Sequence, residues 1–357
     1  MRKIICFTDS LGSGGAQRQL VGLACMLKEQ GYDVSVLLYY DNPFYKSILD
    51  KAGVSSVVIG NTANPIKRLC GLYRFFRKQP CDVVISYQET PSLIACLLKP
   101  FFRWRKLIVS ERNTTQKLTW KDRLRFLLYR LSDTIVPNSY SQAKFIEEHY
   151  PNLTSKVVTI TNFVDTDKFC PQNRRFNREV LRILTVGRIT PQKNVLRYIE
   201  AVNKAINSGV RFECHWYGDT DNIAYYEECL KLINVYKLCD VFCFHPATTT
   251  IVEKYNSCDM FCLPSVHEGF PNVLCEAMAC GLPILCGRIC DNERIVQSEN
   301  NGELFNPMDV DDMVATILRC VKKDLSERKR MSMSNRLIAE QKFSKQMFID
   351  QYIKLIR

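Results

Sequence analysis

"SVHEGFPNVLCEAMACGLP", residues 265–283, sets a Glu-Gly-Phe-Pro turn against a short apolar run that holds a second glutamate. Val273, Leu274, Ala277, Met278 and Ala279 are core-type residues, so a helix carrying them faces the interior. Glu276 among them needs a partner, because burying a lone carboxylate is costly. Pro271 suits a first helical position, which predicts a helix starting there and puts Glu268 in the preceding turn. Amides of residues 269–273 would then point out of a helix N-terminus, towards a sugar hydroxyl or a phosphate oxygen. Glu276 can accept two hydroxyl hydrogen bonds from a ribose. A glutamate that merely caps a neighbouring loop is the alternative, and it leaves the turn unexplained.

Strand-like runs flank this stretch, "DMFCLPS" before it and "PILCG" after it, and they belong to a longer series. "LRILTVG" (181–187), "FECHWYG" and "DVFCFH" come earlier, with helical patterns between them. The N-terminal half has its own series: "KIICFTD", "DVSVLLYY", "SVVIG", "DVVISY", "KLIVS" and "TIVPNS". "AQRQLVGLACMLKEQ" reads as a helix that ends at Gly31. Strands alternating with helices imply parallel sheets with crossovers. The polar stretch "DKFCPQNRRFNRE" (167–179) separates the two series. The expected class is α/β, with an N-terminal domain over 1–168 and a C-terminal one over 178–342, facing a cleft. A last helix over 343–357 follows. Ligands of such sheets bind outside the carboxyl ends of the strands.

The 357 residues suggest roughly two domains at about 150 residues each. With 46% hydrophobic and 24% charged residues, the chain can bury an ordinary core. No run approaches the roughly 18 apolar residues of a membrane span. "MRKIICFTDS" is too short in its apolar part for a signal peptide and reads as a first strand. The 17 cysteines are odd in number, lack any C-x-x-C pair and sit in apolar runs, which suits free thiols in a reducing cytosol. The four histidines show no zinc-ligand spacing. The net charge of +12 is concentrated, since residues 67–130 hold 15 Lys/Arg against 4 Asp/Glu. An anionic partner for the N-terminal half follows.

Two further motifs follow strands. "DSLGSGGAQRQ" (9–19) brings Gly12, Gly14 and Gly15 to the start of a helix. Such a loop can cradle a phosphate or be a plain tight turn, and the residues alone leave both open. As a dinucleotide fingerprint it is poor, with Gln17 in place of the third glycine. "VGRITPQKN" (186–194) sets Arg188 and Lys193 across a Pro-containing turn, a fork and a point charge suited to one diphosphate.

Together these residues resemble the retaining glycosyltransferases of family 4. "HEGFPNVLCEAMACGLP" is similar to that family's E-x7-E signature, "GGAQRQ" to its Gly-Gly loop, "VGRITPQKN" to its diphosphate site and "TNFVDTDKF" (161–169) to its interdomain stretch. The resemblance implies a GT-B fold of two Rossmann-like domains, whose last helix returns to the first. It also implies roles. Arg188 and Lys193 would bind the donor diphosphate, and Glu276 the ribose. Glu268, with the amides of Gly269, Phe270 and Pro271, would hold the donor sugar, with Asn272 and Val273 following in the helix. Gly15 would approach the phosphates from the first domain.

Two places depart from the family pattern. "VSERNTT" stands where many members have a histidine, so Asn113 and Arg112, ahead of Glu111, are the candidates for the acceptor side. His245-Pro246 stands where a glycine near the base is usual, which makes His245 a candidate donor contact. The D-x-D pairs at 165–167 and 219–221 read as loop or cap aspartates, because Arg and Lys neutralise the leaving group and no metal or other cofactor is required. With no residue placed as a covalent nucleophile, the expected route is front-face: the departing phosphate takes the acceptor's proton and attack comes on the same side. A UDP-sugar donor is favoured.

"KRLCGLYRFFRKQ" (67–79), "KPFFRWRK" (99–106) and "LTWKDRLRFLLYR" (118–130) are basic and aromatic. In the last, Trp120, Leu124, Leu127, Leu128 and Leu131 share one helical face, with Lys121, Arg125 and Arg130 elsewhere. Either that face is core or it meets an anionic bilayer. The membrane reading makes the protein cytoplasmic and peripheral on the inner face of the cell membrane, with a lipid-linked glycan as acceptor. Nucleic acid is not expected, for want of a recognition motif. An NAD-dependent dehydrogenase and a non-catalytic glycan- or nucleic-acid-binding protein are the rival classes.

Overall fold

Runs of Val, Ile, Leu and Cys without polar alternation become strands covered on both faces, as parallel sheets require. The computed structural model describes residues 2–115, 118–172 and 179–357. Part of the expected linker, 173–178, lies outside the described residues. The chain divides into two units, 1–163 with 345–357 and 164–344.

The first unit runs β1 (Lys3–Phe7), α1 (Gly15–Glu29), β2 (Asp33–Leu38), α2 (Lys46–Lys51), β3 (Ser55–Val58), α3 (Pro65–Lys78), β4 (Val83–Tyr87), α4 (Glu89–Leu98), β5 (Lys106–Glu111), α5 (Trp120–Leu128), β6 (Thr134–Pro137) and α6 (Tyr140–His149). Its sheet has the order β3-β2-β1-β4-β5-β6, all pairs parallel. The second unit runs β7 (Leu181–Val186), α7 (Val195–Asn207), β8 (Phe212–Tyr217), α8 (Ile223–Val235), β9 (Phe242–His245), α9 (Ile251–Ser257), β10 (Met260–Leu263), α10 (Asn272–Ala279), β11 (Ile284–Gly287), α11 (Asn292–Ile295), β12 (Gly302–Phe305), α12 (Val310–Val321) and α13 (Leu325–Phe343). Its parallel sheet has the order β12-β11-β10-β7-β8-β9. Both sheets wind alike, and each order reverses between its two central strands, β1 and β4 in one, β7 and β10 in the other. Ligands of doubly wound sheets bind at that reversal.

The last helix, α14 (Lys345–Ile356), belongs to the first unit. It buries Phe348, Ile349, Tyr352 and Ile356 against α1 and the inner face of β1 and β4. The Tyr352 and Tyr87 hydroxyls meet at 2.8 Å. Phe343, expected on this helix, ends α13 and packs in the second unit. Residues 164–169 also belong to the second unit: Phe169 is in its core, and the Arg336 guanidinium donates to the Thr166 and Phe169 carbonyls at 3.1 and 2.8 Å.

All seventeen cysteines are free thiols and ten are buried. Burial pushes the Cys214 thiol up to about 12, so it is a core hydrophobe rather than a nucleophile. The basic stretches differ in what they do with their apolar residues. α3 turns Leu72, Phe75 and Phe76 into the core, and Trp104 is buried beside them. In α5 the core side is taken by Phe126, with Tyr129 just beyond the helix, and the stripe Trp120, Leu124, Leu127 faces solvent.

Candidate functional site

At the reversal of the second sheet, the loops after β7 and β10 are stitched together. Val266 N–H donates to the Gln192 carbonyl at 2.9 Å, and the Gln192 side-chain amide donates to the His267 carbonyl at 3.0 Å. This brings Lys193, at the end of a 3-10 turn (Pro191–Lys193), to Glu268, with Nζ 2.5 Å from Oε1. Their side chains are 16% and 11% exposed. The strand ends crowd here: a Cβ on Gly218, at φ 158°, would fall 2.1 Å from the Gly187 carbonyl oxygen, so position 218 needs glycine.

Arg188 points elsewhere. Its Nη1 pairs with Asp221 Oδ2 at 2.9 Å, and both side chains are mostly exposed. Such a surface pair contributes little to stability. Asp219 Oδ1 accepts from Ala247 N–H at 3.0 Å, and Asp165 Oδ1 from Lys168 N–H at 3.3 Å. The D-x-D aspartates named here therefore serve as a loop cap, a turn and an ion-pair partner. Among the described residues no group of three or more His, Cys, Asp or Glu is arranged to hold a metal ion.

α10 begins at Asn272, one residue later than the sequence predicts, because Pro271 has ψ 85° and acts as the cap. Proline has no N–H, so of the three expected amide donors only Gly269 and Phe270 can serve. The Phe270 ring is core, packed edge-on to Phe343 at 5.6 Å. Asn272 N–H donates to the Phe270 carbonyl at 3.0 Å, which tightens the turn. Glu276 is 4% exposed. Its Oε2 accepts from the Tyr255 hydroxyl at 3.0 Å, and the same hydroxyl lies 3.2 Å from the Val273 carbonyl. Tyr255 comes from α9, and no local pattern in the sequence points to it.

His245 ends β9, separated from β7 by β8. Its ring stacks on Tyr217 at 4.4 Å, and its Nε2 lies 3.1 Å from His215 Nδ1. Burial, then the His215 and Lys254 charges, pull His245 below the usual imidazole range. The neutral ring offers an aromatic face and one hydrogen-bonding nitrogen.

In the first unit, Gly15 is the exposed first residue of α1, behind Gly14 as N-cap. The reversal of this sheet carries a feature the sequence does not announce. Gln88, after β4, has φ 74° and ψ 164°, a region nearly reserved for glycine. With its amide nitrogen towards Asp9, it donates to the two carboxylate oxygens at 2.8 and 3.1 Å and accepts from Gln17 Nε2 at 2.8 Å. Asp9 Oδ1 also accepts from Ser10 N–H at 2.6 Å. Asp9, Gln17 and Gln88 thus form a polar cradle beside the Gly-rich loop.

Arg112 does not reach out past β5 as expected. It is buried over the Tyr87 ring at 3.8 Å, and it donates to Asn162 Oδ1 and to the Tyr352 hydroxyl, each at 2.8 Å. Both terminal nitrogens are committed, so the residue joins β5, the 162 segment and α14. Glu111 is buried too, bonded by the Tyr129 hydroxyl. Burial pushes its carboxyl up, against the lowering effect of Arg125. Asn113 alone of the three is exposed.

Comparison with known proteins agrees with this architecture. Residues 168–337 match the family model "Glycosyl transferases group 1", and residues 13–168 match "Glycosyltransferase Family 4". The chain is 23% identical over 305 residues to the N-acetylgalactosamine-N,N'-diacetylbacillosaminyl-diphospho-undecaprenol 4-alpha-N-acetylgalactosaminyltransferase of Campylobacter jejuni, covering 80% of each chain. It is 23% identical to the UDP-Gal:alpha-D-GlcNAc-diphosphoundecaprenol alpha-1,3-galactosyltransferase of Escherichia coli, covering 71% of this chain and 70% of that one. Among solved structures, Anabaena HepE in complex with UDP superposes with a TM-score of 0.87 at 18% identity, covering 100% of this chain and 99% of that one. The two sheets have the GT-B architecture of that neighbour.

Proposed function

Because the chain belongs to glycosyltransferase family 4, with the GT-B fold, we propose that it moves a hexose or N-acetylhexosamine from a UDP-sugar to a lipid-linked glycan, with retention at the anomeric carbon, in surface polysaccharide assembly. The observation that carries this reading is the Lys193–Glu268 contact at the sheet reversal, with the turn before α10 and Glu276 beside it. A relative that uses UDP-Gal and a neighbour solved with UDP support the choice of nucleotide. Two relatives that act on undecaprenyl-diphosphate-linked sugars support the acceptor class, and with it a peripheral place at the inner face of the cell membrane. No helix of the described residues is long and apolar enough to cross a membrane.

The residues divide the work. Charge grows on the diphosphate oxygen as its bond to the anomeric carbon breaks. Lys193, Arg188 and the Gly269 and Phe270 amides stabilise that charge, which is commonly the largest catalytic contribution. The acceptor oxygen bonds to the anomeric carbon on the departing side, and its proton passes to the leaving phosphate. Glu268 orients the sugar, Glu276 accepts from the ribose, and His245 offers its ring to the base. Gly15 leaves room for a phosphate. Asn113, exposed past β5, serves the acceptor.

Neutralisation by protein cations predicts turnover without metal. With a UDP-sugar, a lipid-linked acceptor and saturating EDTA, transfer should persist, and NMR of the product should show the donor's anomeric configuration. Loss of activity restored by manganese, or an inverted product, would overturn the mechanism. A second expectation concerns Tyr255. Tyr255→Phe removes one hydrogen bond to the Glu276 carboxylate, worth about 1.5–3 kcal/mol when the acceptor is charged. Donor KM should rise about tenfold with kcat nearly unchanged, measured by steady-state kinetics.

A further inference from the structure

α5 presents an apolar stripe to solvent. Trp120 is 71% exposed and Leu127 53%, and Leu124 and Leu131 are exposed between and beyond them. Leu131 lies in the 3-10 turn (Tyr129–Leu131) that follows α5, and the spacing i, i+4, i+7 puts Trp120, Leu124 and Leu127 on one face of the helix. Exposed cations flank it, Lys121 on one side, Arg123 and Arg130 on the other. One charge on the helix is turned inward. Arg125 is 3% exposed and pairs with Glu89 at 2.8 Å, Asp122 at 3.0 Å and Glu111 at 3.5 Å, and its Nη2 donates to Thr115 Oγ1 at 3.1 Å. With Phe126 buried beside it, this ion-paired hub fixes the helix about its axis. A Thr119–Asp122 capping box closes its N-terminus. The helix cannot roll its stripe inward without breaking a buried charge network, which is strongly unfavourable.

A monomer has no use for four large apolar side chains in water beside three cations, and the combination is that of an interfacial helix. We infer that this face of α5, with the turn that follows it, docks the protein on an anionic lipid bilayer, with Trp120, Leu124, Leu127 and Leu131 entering the headgroup boundary and Lys121, Arg123 and Arg130 at the phosphates. Positive charge on both flanks selects an anionic surface over a neutral one and over a second copy of the same basic face. The inference rests on the transferase reading only in so far as a lipid-linked acceptor calls for a membrane; the docking itself is read without donor or acceptor.

Intrinsic fluorescence reports the docking, because Trp104 and Trp216 are already buried and Trp120 is the exposed indole. Vesicles of phosphatidylcholine with phosphatidylglycerol should shift the full-length protein's emission to shorter wavelength and co-sediment it. Pure phosphatidylcholine should bind at least about tenfold more weakly. Trp120→Phe should lose the shift and keep most of the binding. Leu124→Ser combined with Leu127→Ser should lower affinity for the anionic vesicles at least about tenfold, with an unchanged circular dichroism spectrum, and should leave transfer to a water-soluble acceptor intact. Wild-type binding by the double variant overturns the proposal. So does failure of the parent to bind at low salt, or a parent dimer that the double variant converts to monomer, which would give the face to a second copy. Absence of turnover alongside normal docking would count against the transferase reading and leave this one standing.

Discussion

Lys193→Ala should lower kcat at least about tenfold at saturating donor, since a charge-assisted bond to phosphate contributes roughly 1.5–3 kcal/mol. The structure gives Lys193 a second duty. Its Nζ, 2.5 Å from Glu268 Oε1, holds the carboxylate that is assigned to the reacting sugar. Removing it takes away the cation assigned to the leaving group and breaks the ion pair of a largely enclosed glutamate. Arg188→Ala should cost less, because its side chain is exposed and paired with the similarly exposed Asp221 in a weak surface pair, so a loss there removes less enclosed charge. Residues that act as a unit are not additive. Lys193→Ala combined with Glu268→Gln should therefore lose less than the product of the two single losses. Single-turnover kinetics of the three variants checks this. Near-parent turnover in Lys193→Ala would end the assignment of the diphosphate to this site.

The parallel sheets were legible because buried parallel strands need no alternation: short Val, Ile and Cys runs between helical patterns have few other readings. β12 carries no such pattern, because "GELF" contains a glycine and a buried glutamate. Gly302 is there for space, since a Cβ would fall 2.4 Å from the Ile284 carbonyl oxygen, and Glu303 is matched by Lys323 at 3.2 Å. Neither fact is local in sequence. The site divides in the same way. Arg188, Lys193, Glu268 and Glu276 lie in compact motifs whose chemistry can be read in place. Tyr255 and the Asp9–Gln88 cradle are made by segments far apart, and the strained backbone of Gln88 has no residue-type signal. Arg112 shows the converse: an arginine after a strand reads as a ligand, until Tyr352, 240 residues on, claims its Nη2. The amphipathic pattern of α5 was plain in the sequence. Its direction was not, because Phe126 and Arg125 decide it through partners on other elements.

Glu276→Gln and Glu268→Gln should fail in different ways. Glu276 is buried on α10 and held by Tyr255, and the proposed function assigns it to ribose hydroxyls that contact the enzyme in ground and transition state alike. The amide keeps the shape and weakens the charge-assisted bonds, so donor KM should rise about tenfold or more with kcat little changed, the mark of lost uniform binding. UDP affinity measured by calorimetry should fall in parallel. Glu268 sits in the turn before the helix, against Lys193, where the assigned sugar changes charge and ring shape as its bond breaks. Its amide should mainly lower kcat, because that interaction strengthens towards the transition state, and UDP binding should stay close to the parent's. Tyr255→Phe should then resemble a mild Glu276→Gln rather than a mild Glu268→Gln, since its hydroxyl donates to the Glu276 carboxylate. If the two glutamate variants show the reverse pattern, the roles exchange. If neither differs from the parent, the two carboxylates are structural, and the transfer reaction must be sought elsewhere on the chain.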